Sequence, residues 1–144
     1  EWYYLLDTRA NAKSLRGIAQ VDGVNGMILL PDNWKCPSGV TFKSGDHSSE
    51  GADYYAAYQI FTADQWSKLE AAGAVFLPAA GRRDGTTMIA VKSWGRYWTS
   101  TGYNGNYSYD SSFNSQYLNT VSFPNDSWTN NSYGLSVRLV KDLQ

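Results

Sequence analysis

One cysteine and one histidine occur in 144 residues. A single thiol, Cys36, excludes an internal disulfide and any cysteine-rich zinc site. With no base near it in NWKCPSG, Cys36 is expected to be inert and partly buried. His47 has Asp46 and Glu50 nearby, but a metal centre needs more ligands than that, so a solvated loop histidine is expected and no metal. Long apolar runs are absent too. The longest, Met27 to Leu30, predicts a buried strand and falls far short of the ~20 residues that span a bilayer, so no membrane insertion by this segment is expected. Positive charge is missing from one region altogether, with no Lys or Arg between Arg96 and Arg138 and a net charge of −1 overall. That removes the electrostatic drive toward nucleic acid or an anionic membrane.

Catalytic patterns are likewise wanting. No G-x-S-x-G elbow, Walker A loop or G-x-G-x-x-G follows a strand. Asp110 and Asp126 lie in polar segments and would have to meet across a cleft to act as a glycosidase pair. An Asp in such a place more often accepts local backbone hydrogen bonds. The expectation is therefore no enzyme, no catalytic residue and no cofactor.

What is present suffices for one domain with a core: hydrophobic content is 42%, with six Trp, and 144 residues bury roughly two-thirds of their unfolded surface. Trp2, Leu5, Leu6 and Ala10 share one helix face, predicting a helix from Glu1 to about Ala12 whose start is clipped, as in the C-terminal part of a longer protein. LRGIAQV and NGMILL predict strands beside Asp22-Gly23 and Asn25-Gly26, both turn signals, with Pro31-Asp32 ending the second. Residues 43–57 are polar and small, predicting a surface loop. A second helix over 62–72 has the best local signature. Thr62 and Gln65 form a capping box, Phe61 and Trp66 occupy hydrophobic-staple positions, and Gly73 stands at C′.

Beyond it the pattern is β. AVFLP is a short strand, GRRDG a turn with Arg82-Arg83 solvated, and TTMIAVK, RYWTST, QYLNTVSF and SYGLSVRLV are further strands. In the last, Leu135, Val137 and Leu139 alternate with Ser136, Arg138 and Val140, predicting a half-buried strand. Arg138 inside it either bonds carbonyls of the long loops, the preferred structural role, or points to solvent. Two helices followed by several strands is an α+β order.

The stretch STGYNGNYSYDSSFNSQYLN, residues 100–119, has the composition of a linker, a prion-like tract or a binding surface. Trp98 before it and LSVRLV after it need a core, which argues against a free linker. Residues 102–116 and 124–133 are therefore predicted to be long loops on a rigid scaffold, the usual place for function. Six of the eleven Tyr and seven Asn lie between Arg96 and Arg138. A groove for nucleic acid would interleave bases among its aromatics. Tyr, Ser, Gly and Asn without bases are instead the composition of antibody paratopes, with Tyr for stiff contact area and the rest for adaptable hydrogen bonds.

Tyr103, Tyr107, Tyr109, Phe113, Trp128 and Tyr133 are the candidate aromatic rim, gripping a protein or stacking on sugar rings. The polar candidates beside them are Asn104, Asn106, Asp110, Ser112, Asn114 and Asn119. The second loop adds Asn125, Asp126, Asn130 and Asn131. Tyr117 and Phe123 are expected to pack beneath their loops. Asn125, Asp126, Asn130 and Asn131 supply only one carboxylate, too few for a calcium site. Three N-x-S/T sequons begin at Asn106, Asn125 and Asn130, as expected by chance in so Asn- and Ser-rich a region.

EWYYLLDTR, GIAQVDGVNGMILLPDNW, TADQWSKLEAAGAVFLPAAGRRDG, GRYWTST and GLSVRLV, in this order, resemble the Fibrobacter succinogenes major paralogous domain. The resemblance spans nearly the whole chain. It implies a single C-type lectin-like domain over 1–144, of the branch similar to the formylglycine-generating enzyme, in which two helices pack on a small twisted antiparallel sheet with long loops. It implies that Trp98, Ser100 and Arg138 are scaffold residues. Two departures limit it: the enzyme's cysteine pair is reduced to Cys36, and the Glu-Pro-Asn and Trp-Asn-Asp motifs of sugar-binding lectins are missing. More narrowly, the chain resembles variable proteins of diversity-generating retroelements, whose mutable positions lie between a G-x-Y-W-S-S-T-like segment and a terminal S-V-R strand. That resemblance implies a ligand-binding domain, outside the cell on a phage tail or bacterial surface, whose partner is a protein or glycan receptor. The plainer implication is a fixed-sequence adhesion or carbohydrate-binding domain of a bacterial surface lipoprotein.

Overall fold

Asp22 and Gly23 both take positive φ, 46° and 80°, giving the two-residue turn whose twist matches a hairpin. It joins β1 (Arg16–Val21) to β2 (Val24–Leu29) in a register running from Arg16↔Leu29 to Val21↔Val24. Asn25-Gly26 is therefore not a second turn. Gly26 lies within β2 opposite Ala19, and a Cβ there would fall 2.4 Å from the Leu77 carbonyl of the next strand. The computed structural model describes residues 2–117 and 128–139. The fold is α+β, but its helices interleave with strands instead of preceding them.

The predicted first helix is cut short. The chain is π-helical over Tyr4–Thr8, then extended at Arg9, left-handed at Asn11 (φ 59°), and forms a 3-10 turn at Ala12–Leu15. Arg9 breaks the pattern because its guanidinium is buried, donating to the carbonyls of Leu30 (2.9 Å) and Leu15 (3.3 Å) and to Asp32 (3.0 Å). The 43–57 loop also needs correction, since its end forms α1 (Asp53–Tyr58). This short helix is anchored by one fully buried ring, Tyr55, whose hydroxyl donates to the Ser93 carbonyl at 2.8 Å. The second helix, α2 (Ala63–Ala71), begins where predicted, with Thr62 and Gln65 capping one another and Gly73 at φ 94° after its end.

β3 (Ile60–Phe61) and β4 (Val75–Pro78) complete a four-stranded sheet in the order β3-β1-β2-β4, with β3 parallel to β1 and the other pairs antiparallel. Its middle strands are apolar without alternation because both faces are covered. Ile18, Met27, Leu29 and Leu77 pack with Leu6, Tyr55, Tyr97 and Phe113 on one side. Ala19, Val21, Ile28 and Leu30 pack with Phe61, Leu69, Trp66 and Phe76 on the other. Pro78 pairs with Gly26, and the adjacent Ala79 N–H bonds the Asn25 carbonyl at 2.7 Å, so the proline nitrogen faces away from β2. The Pro78 carbonyl accepts the Tyr97 hydroxyl at 2.9 Å.

GRRDG is not only a turn. Arg82–Asp84 forms β5, paired with β6 (Thr87–Ile89), and Arg82 is half-buried with its guanidinium 4.6 Å from the Tyr133 ring centre. β6 ends early because Ala90 and Lys92 take positive φ. β7 (Trp94–Asn104), β8 (Tyr107–Asn114) and β9 (Trp128–Asn130) form a third, antiparallel sheet.

The predicted strand over SYGLSVRLV is reduced, within the described residues, to isolated bridges at Gly134 and Ser136. Of its alternating residues Leu135 is half-buried, whereas Val137 (64% exposed), Arg138 and Leu139 (86%) lie at the surface, so the preferred half-buried role of Arg138 gives way to the solvent-facing one. Of the other expected scaffold positions, Trp98 is half-buried and Ser100 exposed, while the buried ring is Tyr97. Cys36 is exposed, its thiol 3.3 Å from the Val40 carbonyl. His47 is half-buried, stacks on Tyr54 at 4.5 Å between ring centres, and accepts the Ser49 N–H at Nδ1. The strand predicted at QYLNTVSF falls largely outside the described residues. Tyr117, expected to pack inward, is 51% exposed.

Candidate functional site

The segment predicted to be a loop over 102–116 is mostly a hairpin. β7 and β8 pair from Trp94↔Asn114 to Asn104↔Tyr107, leaving Gly105-Asn106 as a two-residue turn. Between Trp98↔Asp110 and Gly102↔Ser108 the strand β7 spends two more residues than β8, and one more before Asn104, so it bulges near its end. Thr99 braces the bulge, its hydroxyl 3.0 Å from the Tyr109 carbonyl and accepting the Thr101 N–H at 3.2 Å. Of the second predicted loop, 124–127 lie outside the described residues and Trp128–Asn130 is strand β9.

Strand geometry sorts the candidates by face. One face of β8 turns toward the main core, which takes Phe113 (2% exposed) and, from β7, Tyr97. Tyr109, 8% exposed, is on that same side. The opposite face holds Asp110, 1% exposed. Its carboxylate receives Arg96 Nε at 2.9 Å and Nη2 at 3.1 Å, and the Thr129 hydroxyl at 2.7 Å. Arg96 Nη2 also donates to Thr129 Oγ1 at 2.7 Å. Asn114 is fully buried, with its Oδ1 accepting the N–H groups of Gln116 and Tyr117. Asp110, Asn114, Tyr109 and Phe113 are therefore corrected from surface candidates to internal supports. The Gly and Ser residues around them suggested a loop, but their period-two placement serves a strand with two covered faces. Ser112 is half-buried opposite Arg96, and Tyr133 lies against Arg82.

Six candidates do come together, at the tip. Tyr103, Asn104 and Asn106 are exposed around the turn, with half-buried Tyr107 paired to Asn130 of β9. Asn131 follows, donating its N–H to the Asn106 carbonyl at 2.9 Å and its amide to Gly105 at 3.4 Å. Asn104 Oδ1 accepts the Asn106 N–H at 3.0 Å, and Asn130 Oδ1 accepts the Ser132 N–H at 2.9 Å. These side-chain-to-backbone bonds stiffen both turns. No charged side chain belongs to this cluster among the described residues, so it is a neutral surface of amides, hydroxyls and one half-exposed ring. Asn119, Asn125 and Asp126 lie outside the described residues, as does the side chain of Trp128.

Arg96, Thr129, Gly105 and Ser132 were not among the sequence candidates. Gly105-Asn106 is itself a hairpin signal when flanked by alternating aromatics, as Tyr103, Tyr107 and Tyr109 flank it. Nothing in the sequence marks Thr129. Among the described residues no three His, Cys, Asp or Glu side chains gather to hold a metal ion, and no helix is long and apolar enough to cross a membrane. A separate cleft of ≈ 430 Å³ is lined mainly by apolar side chains, including Trp2, Leu5, Val75, Leu77 and Leu139, with Arg138 also on its wall.

No curated protein and no solved structure matches the chain. Residues 47–140, about two-thirds of the sequence, match a family described as a domain of unknown function, DUF8237. That match takes in the whole β7–β8 hairpin and the tip. The chain belongs to the DUF8237 family.

Proposed function

We propose that the chain is a non-enzymatic ligand-binding domain that offers the β7–β8 tip and the end of β9 to a protein or glycan receptor on a cell surface. The observation that carries this reading is an exposed, uncharged Tyr/Asn cluster seated on a buried ion pair. Its contact groups project while their strands stay fixed, the arrangement a binding surface needs to avoid an ordering cost. The α+β order and the sequence resemblance support a C-type lectin-like fold of the branch similar to the formylglycine-generating enzyme, and an extracellular setting on a phage tail or bacterial surface. The lack of Lys and Arg between Arg96 and Arg138 supports a partner other than nucleic acid.

Within this reading the domain is a variable protein of a diversity-generating retroelement, because Tyr103, Asn104, Asn106 and Asn131 are exposed and have the residue types that adenine mutation reaches. A fixed-sequence adhesion or carbohydrate-binding domain is the second reading. It is favoured by Asn104 and Asn130, whose side chains hold their own turns and so tolerate less replacement.

Binding of the purified domain to intact bacterial cells and to a glycan array, with and without chelator, tests the surface. Tyr103→Ala and Asn106→Ala should reduce retention at least several-fold. Unchanged retention in both, on every probe bound by the parent chain, would overturn the site. A near-copy of codons 95–138 differing at adenines, beside a reverse transcriptase gene, separates the diversified domain from the fixed one.

A further inference from the structure

We infer that Arg96 is the positioning residue of the tip: from β7 it reaches past β8 to β9, and it sets where Asn130 and Asn131 stand beside the hairpin turn. The inference rests on the tip being the binding surface, although the geometry beneath it needs no ligand.

Among the described residues β9 pairs with β8 alone, at Tyr107↔Asn130, Ser108↔Thr129 and Tyr109↔Trp128. Those three pairs are the described backbone hold on its register. β7 and β9 are two strand spacings apart, roughly 10 Å, a span that an arginine side chain bridges and most others do not. Arg96 uses two nitrogens on the two oxygens of Asp110, at 2.9 and 3.1 Å, and turns Nη2 to Thr129 at 2.7 Å as well. The Thr129 hydroxyl closes the ring onto Asp110 Oδ1 at 2.7 Å. Asp110 has no exposed side-chain area and Arg96 only 17%, so water competes weakly for these bonds. A lysine ammonium lacks the planar fork needed to serve a carboxylate and a hydroxyl on neighbouring strands at once.

Thr129 is one residue from Asn130 and two from Asn131, whose N–H bonds Asn106. The chain of contacts therefore runs Arg96, Asp110 and Thr129 on the inside, then Asn130 and Asn131 outside. This hold from below adds to the turn bonds that Asn104 and Asn130 make themselves.

Native-state amide exchange on the whole chain tests this. Asn131 is the reporter, and Met27, paired with Leu77 in the four-stranded sheet, is the control. Thr129→Val keeps the side-chain shape and the Arg96–Asp110 pair but removes the hydroxyl. It should speed exchange at Asn131 about tenfold or more while Met27 stays as it was. Thr129→Ser should restore the slow rate, and Arg96→Lys should act like Thr129→Val. Unchanged exchange at Asn131, or the same acceleration at Asn131 and Met27, would overturn the positioning role. Because exchange involves no ligand, that failure is separable from unchanged cell or glycan retention in the tip variants, which would overturn the binding surface alone.

Discussion

Tyr103 stands edge-on to Tyr109, with ring centres 5.6 Å apart and planes at 77°. The two rings differ in exposure, 51% for Tyr103 and 8% for Tyr109. The proposed binding surface would use the first and rest on the second, although both belong to the same run of tyrosines.

That division predicts opposite phenotypes. Tyr109→Ala should cost about 3 kcal/mol of stability, the usual price of deleting a buried ring. Tyr103→Ala should cost less than about 1 kcal/mol in stability yet weaken binding by about 1–2 kcal/mol if Tyr103 is an anchor. Urea melts of both variants decide it, and equal losses would contradict the assignment.

The Arg96–Asp110 pair predicts an asymmetry between single and double replacement. Asp110→Ala leaves a largely buried guanidinium without its carboxylate and should destabilise by about 3–5 kcal/mol. Arg96→Met combined with Asp110→Leu removes both charges and should cost less than Asp110→Ala alone. A double-mutant cycle measures the coupling, and strictly additive losses would mean that the ion pair is idle.

Gly95 is a packing requirement. A Cβ at this position would come within 2.1 Å of the Phe113 ring, so Gly95→Ala should destabilise by about 1–3 kcal/mol through overpacking. Adding Phe113→Leu should recover part of the loss in thermal melts. A neutral Gly95→Ala would show that the hairpin lies farther from the core than described.

Alkaline pH should unfold the chain early. Burial pushes the Tyr97 hydroxyl up to about 12, and the Tyr55 hydroxyl is raised as well, by burial first and then by Glu50. Unfolded tyrosines ionise near pH 10. Below that both states keep the proton and stability is full. Between about pH 10 and 12 the unfolded chain ionises first, and stability falls by roughly 1.4 kcal/mol per pH unit for each such tyrosine. Urea midpoints from pH 8 to 11.5 should decline above pH 10, and less steeply in Tyr97→Phe. A rising midpoint would have the wrong sign.

The sequence shows most clearly those parts governed by neighbours along the chain. The Thr62–Gln65 cap and the Asp22-Gly23 turn depend on residues within four positions, and both are where the sequence puts them. The buried strand at Met27 to Leu30 shows as an unbroken apolar run because both its faces are covered. Parts governed by distant partners do not show. α1 hides in a polar segment because one ring, Tyr55, anchors it to Ser93, 38 positions away. Val137 and Leu139 alternate as a strand should, yet they are 64% and 86% exposed. The candidate site was legible as a set of residue types but not as a shape. Tyr103, Asn104, Asn106 and Asn131 are exposed as expected. Tyr109, Asp110 and Asn114 face inward because Tyr107–Asn114 is a paired strand, although its Ser and Asn content is that of a loop.

Pro78 has a consequence beyond the sheet it ends. The outward backbone position it fills has no N–H, and its carbonyl is already taken by Tyr97. A neighbouring molecule therefore finds no donor at that position and an acceptor already in use, which blunts the margin of β4 as a template for further strands. Copies crowded side by side would then resist zipping together at Pro78.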